Sequence, residues 1–420
     1  MELNLEKPIK KRRCKPEDDT RRNGLDRLPN DIALDILLRL PVISLLQSSF
    51  VCRSWHNLRL DQNLATLHLS QAVNRDPLLI FHSDYPLRNE LCFAEFPASD
   101  DDEKTVRKIS TPFSASMPEF TMEGSCNGLL CLSDTLYREA VYIYNPLTRD
   151  YKELPKTRQY EDQTVVCGFG YHPGTKEYKV VKIVHHRITN FGSQYVERTK
   201  RLAKLRSEVL VFTLGGNAWK NAGRAPFSHV DWRSRQALCT NGRLHWLSFG
   251  EYNGEYNNVR GLIIVSFDLA DENFYEVPRP DFSVIDGRNY HLAVLRGCLS
   301  AAVFEHGLRR DLEIWVMKEY NVKESWTKEF KFKGYVPDSP WDNSLLPVRI
   351  RGSEPRRLTL KVLCVLENGG ILIEYHFGRL AVYDPEAGRF RIMKFKGMPS
   401  LFRTVVHTES LNRIVLPIQL

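Results

Sequence analysis

The sequence is short of the features that mark the commonest chemical sites. None of its nine cysteines forms a Cys-x-x-Cys pair. A zinc centre built on closely spaced ligand pairs is therefore not expected. The odd, scattered thiols read as reduced core filler in a reducing compartment. No apolar run reaches the length of a membrane span, Gly261 to Phe267 being typical of the longest, so no membrane partner is expected. The N-terminus is polar and charged, unlike a secretory signal. Charge of one sign is also scarce. Against 51 acidic residues stand 59 Lys and Arg, and a balance of +8 over 420 residues does not point to a nucleic-acid binder.

Local motifs for chemistry are equally thin. His185-His186 are neighbours on an expected strand, so they would point to opposite faces and not share a metal. Asp100-Asp101-Asp102-Glu103 reads as a solvated loop. Gly168-x-Gly170 lacks the Lys-Ser/Thr and the following helix of a phosphate loop. Arg198, Lys200, Arg201, Lys204 and Arg206 read first as a flexible charged loop, and second as a contact for an acidic target or nucleic acid. No nucleophile motif surrounds the dispersed Ser and His residues. No cofactor and no metal are expected.

What is present is a globular composition, with 42% hydrophobic and 26% charged residues. Aromatics at 11% suit β-structure, where they pack across strands. Residues 1–24 lack an apolar period and read as a disordered tail. Its cluster Lys10-Lys11-Arg12-Arg13-Cys14-Lys15 fits a nuclear import signal and a solvated tail equally well. The expected location is the nucleus, the cytoplasm or both. Residues 25–70 are helical in pattern. From residue 77 to 420 the chain reads as short strands, among them Leu78–Phe81, Val141–Tyr144, Tyr178–Val184, Leu262–Phe267 and Leu380–Tyr383. Asn127-Gly128, Pro173-Gly174, Gly215-Gly216, Asn241-Gly242 and Gly369-Gly370 mark turns between them.

In the helical part, Pro29 fits a first helical position and Pro41 ends the helix. Ile32, Ile36 and Leu40 form one stripe and Leu34, Leu37 and Leu38 another, so this helix is expected to bury two sides. Val42, Leu45, Leu46, Ser49 and Phe50 fall on one face of the next helix. Such apolar density on about 45 residues suggests a partner helix or groove, unless the module simply packs on the β-domain.

Leu28-Pro29, Leu40-Pro41, Ser44-Leu45-Leu46 and Val51-Cys52-Arg53-Ser54-Trp55 occur in the order and spacing of an F-box, which the segment Leu25 to Leu69 resembles. Ile43 and Gln47 depart from the common plant form at variable positions. The resemblance implies docking onto a Skp-family adaptor, and through it onto a cullin and a RING protein. Leu28, Pro29, Ile32, Ile36, Leu40, Pro41, Val51, Cys52 and Trp55 match the family's contact or core positions, which sequence does not separate.

A repeated phrase runs through the β-part: an apolar strand with an aromatic near its end, a turn, then a second short strand. Its aligned aromatics are Tyr144, Phe212, Phe267, Trp315 and Tyr383, at intervals of 68, 55, 48 and 68 residues. Repeated four-stranded units bury their faces on one another, which favours a ring. A propeller of six to eight blades is expected, closed by strands near Arg403–Val406 and Arg413–Pro417 beside Leu78–Phe81. Gly124-Ser125-Cys126-Asn127-Gly128-Leu129-Leu130-Cys131, Tyr144-Asn145-Pro146-Leu147-Thr148 and Gly168-Phe169-Gly170-Tyr171-His172-Pro173 resemble the F-box-associated, kelch-like propeller domain of plant F-box proteins.

The resemblance implies a small all-α F-box followed by an all-β propeller. It implies a non-catalytic substrate-recognition subunit of an SCF-type ubiquitin ligase, whose target protein the sequence does not name. A propeller-based enzyme and an F-box protein acting outside ubiquitination stay open as alternatives.

Overall fold

A computed structural model describes residues 28–414, apart from 49, 60, 73–75, 86, 97–103, 137–138, 161–162, 188–204, 228–236, 250–261, 282–289, 305–311, 333–359, 376–378, 400 and 413. The expected tail 1–24, the run Asp100–Glu103, the basic residues Arg198 to Lys204 and most of 413–417 lie outside the described residues. The chain forms two compact units, Met1–Ala65 and Thr66–Leu420.

The first unit holds α1 (Asn30–Arg39), α2 (Val42–Ser48) and α3 (Arg53–Arg59), and α4 (Gln62–Ala72) begins in it. Ala33, Leu37, Val42, Leu45 and Trp55 are its buried side chains on the first three helices.

The second unit is a propeller of six four-stranded antiparallel blades. From the axis outward, blade 1 comprises Leu401–His407, Leu78–Tyr85, Leu91–Ala94 and Arg107–Ile109. Blade 2 comprises Phe120–Cys126, Leu129–Asp134, Val141–Tyr144 and Tyr151–Glu153. Blade 3 comprises Thr164–His172, Glu177–Arg187, Leu205–Thr213 and Lys220–Asn221. Blade 4 comprises Leu238–Thr240, Arg243–Phe249, Leu262–Asp268 and Phe274–Val277. Blade 5 comprises Tyr290–Leu295, Cys298–Phe304, Leu312–Met317 and Trp326–Phe332. Blade 6 comprises Leu360–Val365, Ile371–Tyr375, Arg379–Asp384 and Arg389–Met393. The inner strands neighbour one another all the way round, from blade 6 back to blade 1.

A blade in such a ring is covered on both faces, so its strands need not alternate apolar and polar residues. Val141–Tyr144 is buried at every position. The core is accordingly six apolar layers, one at each junction between blades. The five repeat aromatics all fall on the third strands of blades 2 to 6. Blade 1 has no copy of the phrase because the two ends of the domain assemble it: Leu78 to Tyr85 pair with His407 to Leu401.

Close approach explains the two glycines of Gly168-Phe169-Gly170. A Cβ on Gly168 would lie 2.7 Å from the Trp246 ring of blade 4, and one on Gly170 would lie 2.6 Å from the Cys239 Sγ. Side chains there would push blades 3 and 4 apart.

Beyond the closing strand the chain continues as a strap over blade 2. Asn145 Nδ2 donates to the carbonyls of Ser410 (3.2 Å) and Asn412 (2.8 Å). Its Oδ1 accepts the N–H groups of Leu147 (2.9 Å) and Thr148 (3.2 Å). Asn412 Nδ2 in turn donates to the Asn127 carbonyl (3.0 Å) and the Tyr178 hydroxyl (2.8 Å). Gly128, at φ +82, lies against Ser410, where a Cβ would come within 2.2 Å of the serine Cβ. Ile414 is buried in the layer between blades 2 and 3. Of the second expected closing segment, Arg413–Pro417, only Ile414 lies among the described residues.

Asn145→Ala should lower the unfolding free energy by about 2–3 kcal/mol, since it strands buried donors and acceptors. Lys156→Ala, which loses only the exposed pair with Glu139, should change it by less than about 0.5 kcal/mol. Urea unfolding of the two variants measures both. A negligible loss for Asn145→Ala would show that the strap is held by its other contacts.

Candidate functional site

The first candidate is the surface of the helical unit. Pro29 leads into α1 at φ −53° and ψ 142°, and its carbonyl accepts the Ala33 N–H at 3.0 Å. It stands one residue before the helix, not at its first helical position. Leu40 ends α1 in an extended conformation, as a residue before proline favours. Along α1 the row Ala33–Leu37 is buried, while the row Ile32–Ile36 is 48% and 36% exposed. The helix thus buries one stripe and leaves the other open, contrary to the expectation of two buried sides. The short helices beside it cover one flank only.

A second departure concerns Phe50. Its spacing places it on the helical face of Val42 and Leu45, but α2 ends at Ser48. A turn follows, in which the Phe50 N–H donates to the Gln47 carbonyl and the Val51 N–H to the Ser48 carbonyl, both at 3.0 Å. The turn carries Phe50 outward at 90% exposure, with Val51 at 41% beside it in sequence.

The nine positions matched to the F-box pattern now separate. Trp55 is buried and belongs to the core. Leu28, Leu40 and Cys52 are half-buried, whereas Pro29, Ile32, Ile36, Pro41 and Val51 are open. Phe50 joins the open set, a residue that pattern matching missed. Its one signal was position: a large aromatic directly before Val-Cys, where a helical period fails to continue. A Phe side chain left in water forgoes about 1.5–3 kcal/mol that a covering partner would recover.

The second candidate is the set of polar contacts that join neighbouring blades. His407 Nδ1 and Ser125 Oγ lie 3.0 Å apart between blades 1 and 2. Lys179 Nζ of blade 3 donates to the Leu269 carbonyl at 2.7 Å and pairs with Glu272 at 2.9 Å in blade 4. Burial pushes the Glu272 carboxyl up, but hydrogen bonds from Lys220 and Lys179 outweigh it and hold it below the usual range. Thr240 Oγ1 of blade 4 donates to the Gly297 carbonyl of blade 5 at 2.6 Å. His291 Nε2 of blade 5 accepts the Val362 N–H of blade 6 at 2.9 Å. Glu374 of blade 6 accepts the Thr404 N–H of blade 1 at 2.6 Å, and burial raises its carboxyl. Each contact crosses a junction, so this ring reads as a set of clamps.

His185 and His186 diverge as expected: His185 is buried near Phe227, and the His186 ring stacks on Tyr160 at 3.9 Å. Among the described residues no three His, Cys, Asp or Glu side chains converge as a metal site would require.

Comparison with known proteins matches each unit separately. The F-box domain family matches residues 25–61, and the F-box associated beta propeller domain family matches residues 77–415. The F-box protein At3g07870 of Arabidopsis thaliana is 41% identical over 425 aligned residues, covering 99% of both chains. F-box protein CPR1 of the same plant is 27% identical, over 91% of this chain and 88% of its own. The F-box/kelch-repeat protein At3g23880, also from Arabidopsis thaliana, is 26% identical over 86% and 89%.

Two histidines give the propeller a pH dependence. Burial takes His407 down to about 3 and His245 down to about 4, so both are neutral in the folded chain. In the unfolded chain each takes a proton near pH 6.5. Their stabilising contribution is complete above that pH and drains as pH falls toward the folded values. Each should cost about 1.4 kcal/mol per pH unit between pH 6.5 and 4. Unfolding free energies across this window should decline more gently in His407→Asn than in wild type, by one proton's worth. Parallel declines would mean that His407 takes up its proton without unfolding.

Proposed function

The chain belongs to the F-box proteins that carry an F-box associated β-propeller, and we propose that it is the substrate-recognition subunit of an SCF-type ubiquitin ligase. An F-box implies a Skp-family adaptor as partner. The observation that carries the reading is the open apolar set Ile32, Ile36, Phe50 and Val51 on the F-box. Apolar side chains of this size, exposed on a small helical unit, suit a groove on a partner, with Phe50 as its central anchor. The adaptor would bring a cullin and a RING protein. The propeller would hold a target protein on its rigid frame, since function commonly sits on the loops and rims of such scaffolds. In this reading the chain makes and breaks no bonds. It acts by keeping the target's lysines at high effective concentration near the ubiquitin donor. The cluster Lys10–Lys15 supports action in the nucleus, the cytoplasm or both.

Binding of the full chain to purified Skp-family adaptor, followed by interferometry, tests the adaptor half. Phe50→Asp and Ile36→Asp should each weaken binding at least about 100-fold with little change in melting temperature, because both positions are open. Trp55→Ala should instead lower the melting temperature, because it empties a core position. Absence of binding by well-folded wild type, or normal binding by Phe50→Asp with Ile36→Asp combined, would sink the reading.

A further inference from the structure

Cys126 and Cys239 are far apart in the sequence and stand in different blades. Cys126 ends the edge strand Phe120–Cys126 of blade 2, and Cys239 sits in the edge strand Leu238–Thr240 of blade 4. Between these blades stands blade 3, whose own edge strand is Thr164–His172. Cys126 packs on the apolar layer between blades 2 and 3, and Cys239 on the layer between blades 3 and 4. The two thiols nonetheless meet, with the Cys126 S–H in hydrogen-bonding reach of the Cys239 Sγ.

Gly170 of blade 3 makes the meeting possible. A Cβ there would lie 2.6 Å from the Cys239 Sγ, inside contact distance. With no side chain in the way, the sulfur rests on the backbone of blade 3, where it donates to the Tyr171 carbonyl at 3.9 Å. The Tyr171 backbone stands beside the Cys126 sulfur as well. Two sulfurs from separate blades thus share one backbone position of the blade between them.

Both thiols are half-buried, within reach of a small oxidant. Cys92, Cys131 and Cys167 are closed off, at 1% exposure or less. The two members of the pair also differ. The hydrogen bond from Cys126 holds the Cys239 thiol below its usual range despite burial, and the same bond, with burial, raises Cys126. Cys239 is therefore the better source of thiolate, the form that reacts. Burial raises both Cys131 and Cys167, the other neighbouring thiols.

We propose that Cys126 and Cys239 form an oxidation site, at which hydrogen peroxide makes a disulfide that ties blade 2 to blade 4 across Gly170. The Cys239 thiolate attacks one peroxide oxygen. An S–O bond forms, the O–O bond breaks, and the leaving hydroxide takes the proton that Cys239 gave up. The Cys126 sulfur then attacks the sulfenic sulfur. The S–S bond forms, the S–O bond breaks, and the second hydroxide takes the Cys126 proton. The thiol pair loses two electrons, and one peroxide becomes two waters. The bond closes a loop of about 110 residues, long enough to stabilise the fold by constraining the unfolded chain. A thiol reductant reverses it by exchange. The site is separate from the open apolar set of the F-box, and its chemistry needs neither adaptor nor target.

The test treats the reduced, purified full chain with one equivalent of hydrogen peroxide and counts thiols after denaturation. The nine thiols of the chain should fall by one pair, and dithiothreitol should restore them. With the remaining thiols blocked, trypsin should release the peptide Gln236–Arg243 joined to Ile109–Arg138. Fragment ions should place the bond on Cys126 and not on Cys131. In Cys126→Ser, Cys239 should stop at the sulfenic acid and take up dimedone, whereas in Cys239→Ser, Cys126 should stay reduced. Cys131→Ser should form the bond as wild type does. Oxidised wild type should unfold at a higher urea concentration than reduced wild type, a shift that Cys126→Ser does not show. Melting temperatures confirm that each variant is folded. An unchanged thiol count, a greater yield of bonds between other cysteines, the same loss of a thiol pair in Cys126→Ser, or a urea midpoint lowered by oxidation overturns the proposal.

Discussion

Leu401–His407 is the strand on which the propeller depends. It is the inner strand of blade 1, yet it comes from the far end of the domain. Both neighbouring junctions draw on it. Phe402 packs into the layer with blade 6, and Val405 into the layer with blade 2. Thr404 is tied to Glu374 on one side, and His407 lies against Ser125 on the other. Without this strand, two of the six layers lose part of their packing and the inner strands of blades 2 and 6 lose the neighbour between them. Closing so long a loop costs little more than closing a short one, because the entropy grows only with the logarithm of length. The buried strap beyond it then holds the closure shut.

Much of this architecture was readable from local chemistry. The aromatics from Tyr144 to Tyr383 sit on equivalent strands because each third strand is covered from both sides. Asn127-Gly128 and Asn241-Gly242 form two-residue turns with both φ angles positive, as their sequences require. The same turn at Arg296-Gly297 was not readable, since Arg is a poor guide to positive φ, and only the tertiary pairing holds it there. Blade 1 was hidden for a different reason. Its pieces lie over 300 residues apart, and a repeat divided between two ends leaves no phrase to align. Asn145 could be recognised as part of a motif, but its role as the anchor of Ser410 and Asn412 depends on contacts some 265 residues away.

The helical unit shows the same division. The ordered Leu-Pro and Val-Cys-x-x-Trp pieces located the helical unit. Which of its residues face outward depended on where α2 stops. A helix ending at Ser48 instead of continuing through Phe50 changes one aromatic from a core residue into the most exposed large apolar side chain among the described residues. Periodicity cannot supply that, because the helix end is set by the turn Gln47–Val51 and by the demand of Trp55 for the same interior. The two units thus treat apolar surface in opposite ways. The propeller hides it in closed layers, and the helical unit leaves part of it uncovered.

The closing strand also orders events in time. A ribosome adds about 5–20 residues per second, so the strand Leu78–Tyr85 leaves it well before its partner Leu401–His407 is made. For roughly 15 to 65 seconds by that rate, the N-terminal strands of blade 1 carry an unpaired inner edge. A nascent chain in this state presents the kind of surface that chaperones hold. A chain truncated between residues 72 and 401 would keep all four helices and carry a propeller that never shuts.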